Sequence, residues 1–119
     1  MAKVTVVVGP QGSGKTTEIN KLVSGKEVMF AGSMSVLGLK SDPYYMQKLL
    51  LKAADKGKQV VVIEEMWAEP ELIRSMMLSL LLIGYPVDVI IETQIPVKDI
   101  PFKDHINLIV KTIKNAKDN

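Results

Sequence analysis

The chain has no cysteine, one arginine (Arg74), one histidine (His105) and no long uninterrupted apolar run. Without cysteine, disulfides and thiolate metal sites are excluded, and the composition suits a reducing compartment such as the cytoplasm. Of the 15 basic residues all but Arg74 are lysine. Bidentate clamping of phosphate or carboxylate relies on the planar guanidinium fork, so this scarcity argues against an enzyme that grips two phosphorylated substrates. The longest greasy region, Leu72 to Ile91, is interrupted by Arg74, Gly84, Pro86 and Asp88. A membrane span needs about 20 apolar residues in succession, so a buried helix followed by a strand is expected there, and no membrane span. The apolar stretch after Met1-Ala2-Lys3 is too short for a signal peptide. A net charge of +2 gives little support for a nucleic-acid partner.

What is present is a globular composition, 47% hydrophobic against 24% charged, in 119 residues. That length fits a single domain, residues 1–119, burying roughly two-thirds of its unfolded surface. Lys3 to Val8 is a β-branched run that reads as a strand buried on both faces. Gly9 to Gly14 is a glycine-rich turn, and Lys15 to Val23 a short helix stopped by Ser24-Gly25. A second strand is expected at Glu27 to Ala31, then a loop from Gly32 to Ser41. Asp42-Pro43 caps a helix that carries Tyr45, Met46, Leu49, Leu50 and Ala53 and ends near Gly57. Gln59 to Ile63 reads as a third strand and Pro70 to Ile83 as a helix. Val87 to Ile91 is a fourth strand, a loop fills Thr93 to His105, and Ile106 to Ile113 is a fifth strand. Strands alternating with helices imply an α/β fold, a parallel sheet covered on both faces.

Gly9-Pro10-Gln11-Gly12-Ser13-Gly14-Lys15-Thr16 satisfies G-x-x-x-x-G-K-[ST] at every fixed position. Glycines admit turns in which a β-carbon would clash, and let amides approach phosphate oxygens closely. The helix starting near Lys15 aims its unsatisfied N–H groups and positive dipole end at the same oxygens. Lys15 would set its ammonium against the outer phosphates of ATP or GTP. Thr16 would offer a hydroxyl to Mg2+, and Thr17 would reach the inner phosphate. A glycine turn alone carries little information; a strand directly upstream and a helix directly downstream are what make it specific.

Val60 to Ile63 runs into Glu64-Glu65. Strand alternation gives adjacent acids different roles. Glu64 is expected to hold Mg2+ through its water shell, and Glu65 to orient or deprotonate an attacking water. Thr93 or Gln94, at the polar end of the fourth strand, would contact the γ-phosphate or that water. Arg74 is either a finger toward a neighbouring subunit or a solvated helix residue, and His105 has no partner at a useful spacing. The helix Leu72 to Ile83 is apolar nearly all round, more than one buried stripe requires, which fits either deep packing or a homo-oligomer interface.

These residues resemble the P-loop NTPase superfamily, and more narrowly its branch with an added central strand and a catalytic glutamate. GPQGSGKT, VVVIEE, and IIETQ followed by proline carry the likeness over nearly the whole chain. Glu-Glu, a strand ending in Thr-Gln and a final short strand (INLIV) are similar to FtsK- and HerA-type translocases, viral genome-packaging ATPases and Zot-like phage assembly proteins. The resemblance implies a three-layer fold with a five-stranded parallel sheet in the order 5-1-4-3-2. It further implies ring assembly, and ATP hydrolysis coupled to nucleic acid or to virion assembly. The chain departs from it in lacking an arginine near its C-terminus. Two alternatives stand beside an ATPase: a small-molecule kinase of the thymidine kinase-like type, and a nucleotide-dependent switch without turnover.

Overall fold

The computed structural model describes residues 3–10, 12–31, 45–66, 87–94, 96–100, 102, 104 and 108–113, with backbone alone at 45, 46 and 64–66. The expected helix at 70–83, with Arg74 and the apolar face proposed for self-association, lies outside the described residues, as do Gln11 and His105. No helix among the described residues is long and apolar enough to cross a membrane.

The order along the chain is β1 (Val4–Val8), α1 (Lys15–Leu22), β2 (Val28–Ala31), α2 (Tyr45–Asp55), β3 (Val60–Met66), β4 (Asp88–Thr93), a 3-10 turn (Val97–Asp99) and β5 (Leu108–Thr112). All four strand pairings are parallel. The sheet runs β2-β3-β4-β1-β5, which from its other edge reads 5-1-4-3-2. β1 is therefore internal to the sheet, with β4 and β5 beside it, and neither neighbour follows it directly in sequence.

Period-two alternation divides the valines and isoleucines between two cores. Val6, Val8, Val61, Ile63, Val89 and Ile91 pack on one face with Leu50 and Ala53 of α2. Val7, Val60, Val62 and Ile90 pack on the other with Ile19 and Val23 next to or within α1. Each face of the sheet thus carries a helix, and the central strands have no water-facing side, which is why they read as unbroken apolar runs. The α2 terminus depends on Gly57, whose φ of +74° lets Gly57 N–H reach Ala54 O and Lys58 N–H reach Ala53 O. This paired closure satisfies the last carbonyls and turns the chain straight into β3.

Two boundaries differ from expectation for physical reasons. β3 continues through Glu64 and Glu65 to Met66, because β4 extends to Thr93 and goes on pairing with it. β4 itself runs from Asp88 to Thr93 rather than from Val87 to Ile91, and the described residues beyond it hold one 3-10 turn before Ile100, which is buried in the α2-side core.

The layering is testable by truncation. Ile91→Ala, in the fully buried centre, should lose about 2–5 kcal/mol of unfolding free energy in urea. Ile109→Ala, on edge strand β5 and 41% exposed, should lose less than about 1 kcal/mol. Equal losses would contradict the strand order.

Candidate functional site

The carboxyl end of β1 passes into a glycine-rich loop whose shape is set by close packing. Gly12 and Gly14 take φ of +76° and +97°, backbone that L side chains rarely adopt. Gly9 is glycine for another reason: a β-carbon there would lie 2.6 Å from Ser13 Oγ and 3.1 Å from Ile113 O. The base of the loop is tied on both sides. Gly9 N–H donates to Thr93 O of β4 at 3.2 Å, and Ile113 N–H, just past β5, donates to Val8 O at 2.7 Å. Ser13 N–H closes the turn onto Pro10 O at 3.2 Å.

Lys15 is the first residue of α1, yet only 7% exposed. Its Nζ donates to Gly9 O at 2.6 Å and Pro10 O at 2.9 Å, so the side chain folds back over its own loop. Burial of an ammonium is tolerable only with such partners. Two acceptors for three N–H donors leave room for an incoming anion. Gly14, the residue before the helix, makes no side-chain cap. With no side-chain cap among the described residues, the first N–H groups of α1 can meet an outside acceptor, at the positive end of the helix dipole. Thr16 and Thr17 are exposed on that first turn. Glu18 is anchored away from it, 3.4 Å from Lys111 of β5, an ion pair exposed enough to contribute at most about 1 kcal/mol.

Ser13 is 7% exposed, and its Oγ is buried without a hydrogen-bond partner among the described residues. In sequence it is simply a loop position. Its burial depends on Gly9, whose missing side chain makes the space it occupies.

The acids stand two strands out from the loop. In register, Ile63 pairs with Ile91 and Met66 with Thr93, so Glu64 and Glu65 together oppose the single residue Glu92. Two residues against one is a β-bulge, which breaks side-chain alternation and re-aims the residues beyond it. The expectation that Glu64 and Glu65 face opposite sides by simple alternation therefore does not carry across this point. Glu92, which sequence pattern did not single out, is partly buried and pairs in register with Val7 of β1. The hint was a carboxylate two residues after Ile90, hence on the α1 face, inside an apolar strand. Thr93 is buried beside the base of the loop and Gln94 is exposed at the strand tip. β4 thus lies between the strand bearing the loop and the strand bearing the acids.

The oxygen donors here, the Thr16 hydroxyl and the strand-end carboxylates, suit a hard cation such as Mg2+, which keeps several waters and binds through one or two carboxylates plus phosphate. No cluster of three His, Cys, Asp or Glu occurs among the described residues, which do not include the side chains of Glu64 and Glu65. No protein-family model and no curated protein sequence matches the chain.

The packing of the loop can be tested by a double-mutant cycle. Ser13→Ala should leave stability unchanged or slightly raised, because it removes a buried hydroxyl that has no partner. Gly9→Ala should cost about 1–3 kcal/mol, and less in the Ser13→Ala background, where one of the two close contacts is gone. Additive losses would show that the hydroxyl and the glycine do not share this space.

Proposed function

We propose that the chain is a P-loop nucleoside triphosphatase of the three-layer type, binding ATP with Mg2+ at the carboxyl end of the sheet. The supporting observation is the buried Lys15 ammonium, held on the carbonyls of Gly9 and Pro10 above an uncapped helix N-terminus. A loop built around two left-handed glycines, a buried cation and open amides suits a polyanion and little else.

In this reading the main chain of Gly9 to Thr16 surrounds the phosphates, including Pro10, Gln11, Gly12 and Ser13. Lys15 leaves part of its carbonyl pairing for the outer phosphates, and Thr17 meets the inner one. Mg2+, when bound, would be held by Thr16 and, through water, by Glu64, and would neutralise charge on the phosphate oxygens. Glu65 accepts a proton from water as that oxygen bonds to the γ-phosphorus. The bond to the β–γ bridging oxygen breaks, giving ADP and inorganic phosphate. Gln94 and Thr93, at the tip of β4, would contact the departing phosphate or the attacking water. Catalysis is assigned to Lys15, Glu65 and Gln94. Coupling to an assembly or translocation step, in a homo-oligomer, completes the proposal.

Lys15→Ala should weaken Mg·ATP binding about 10- to 100-fold, the equivalent of one or two charge-assisted hydrogen bonds. Glu65→Gln should keep the affinity of the parent and lower turnover by at least about 100-fold. Unchanged affinity in the first variant removes the assignment of Lys15. Unchanged turnover in the second removes that of Glu65.

A further inference from the structure

At the opposite end of the sheet, roughly 15 Å away along the strands, the amino termini of β1, β3 and β4 open onto two adjoining clefts. One, of about 270 Å3, is lined by Lys26, Lys58, Gln59 and Asp88. The other, of about 230 Å3, is lined by Lys3, Lys26 and Asp88 above Thr5, Leu22, Val60 and Ile90. Lys26 and Asp88 belong to both, so the two form one groove with three lysines along it.

The acceptors beside these lysines also hold the sheet, and Asp88 sets one negative charge against their three positive ones. Parallel strands leave N–H groups unpaired at their amino ends, and here side chains cap them. Asp88 Oδ1 accepts from Lys3 N–H at 3.1 Å, and Gln59 Oε1 accepts from Glu27 N–H at 3.0 Å. Glu27 lies 3.9 Å from Lys58 Nζ, but its side chain is 73% exposed, so that pairing is loose. Lys3 and Lys26 are exposed. Further lysines ring the same end, because both described helices finish there: Lys21 from α1, Lys52 from α2 and Lys56 just past it, with Asp55 between the last two. Helix C-termini favour such charges, and that explains Lys21 and Lys52. It does not explain Lys3, Lys26 and Lys58, which lie outside the helices and line the groove.

We infer that this groove binds the sugar–phosphate backbone of a nucleic acid. Lysine is a compact point charge that suits phosphate without fixing geometry. Among the described residues neither arginine nor an aromatic side chain lines the groove, so the proposed binding reads and stacks no base and is independent of sequence. An anionic membrane fits less well, since the apolar lining residues Leu22, Val60 and Ile90 are wholly or partly buried and offer nothing to insert. The modest net charge does not show this because it sums over the whole chain, Glu27, Asp55 and Asp88 of this end included. The groove stands apart from the nucleotide reading and does not depend on it.

The test is fluorescence anisotropy of a labelled oligonucleotide, single-stranded and duplex, across a salt series with the full chain. Three neutralised phosphates give a log–log salt slope of about −2 for a single strand or −3 for a duplex. K3E/K26E should bind at least about 10-fold more weakly, with a slope shallower by about 1.5, while K3R/K26R binds as the parent does. K3Q/K26Q, which introduces no negative charge, should show the same ordering with a smaller loss. K15A should bind as the parent does, so a failure of the nucleotide assignment leaves this result intact. The inference is overturned if the parent does not bind at low salt or if K3E/K26E and K3Q/K26Q match it. It is equally overturned by loss of binding in K15A, or by tighter binding to phosphatidylserine vesicles or polyglutamate than to the oligonucleotide.

Discussion

A lysine ammonium that is 7% exposed must be matched by acceptors, and in this fold the acceptors are two carbonyls of its own loop. That single pairing ties the loop's sequence to its shape. Gly9 and Pro10 present their carbonyls inward because the chain turns at Gly12 and Gly14 through left-handed backbone. The turn closes over Ser13, which fits because Gly9 has no side chain. The whole arrangement rests on β1, whose neighbours β4 and β5 hold its end and the start of the loop through Thr93 and Ile113. The ammonium is thus held in place by its own loop, and under the proposed reading a phosphate would meet a side chain already ordered. Preorganisation of this kind reduces the entropy lost on binding.

The same sheet separates charge along its length. Parallel strands place every strand's carboxyl end on one side, so the loop, the acids of β3 and the tip of β4 are neighbours despite wide spacing in sequence. The amino ends gather Lys3, Lys26 and Lys58 in the same way. A chain of net charge +2 therefore has a basic groove at one end, while Glu64, Glu65 and Glu92 fall at the other ends of their strands. Composition averages over the two, and only topology separates them.

Much of this was legible from residues alone. The valine runs at 4–8 and 60–63 could be read because a strand covered on both faces has no polar alternation to disguise it. The glycine loop could be read because Gly12 and Gly14 serve backbone angles that few other residues tolerate. The bulge at Glu64-Glu65 could not, since it depends on how far β4 extends and on which residue of β4 faces which of β3. Glu92 was hidden for a related reason: in sequence it is one of three polar residues ending an apolar run, and its register with Val7 supplies the distinction. Asp88 and Gln59 read as ordinary polar residues at strand starts. Their role as caps for Lys3 and Glu27 emerges once the amino ends are adjacent. Local propensity was informative wherever one segment sufficed, and register was needed wherever two strands had to be brought together.

The central claim is that a triphosphate sits on the loop at the carboxyl end of β1, gripped by main-chain amides and the Lys15 ammonium. A titration of 15N-labelled protein with a slowly hydrolysed Mg·ATP analogue, followed by amide chemical shifts, addresses it most directly. The account expects saturable shifts concentrated at Gly9 and Gly12 to Thr17, with smaller ones at Thr93 and Gln94, and none at Lys26, Lys58 or Gln59. Saturable shifts clustered at the amino-end groove, or a spectrum that does not change at millimolar ligand, would contradict it.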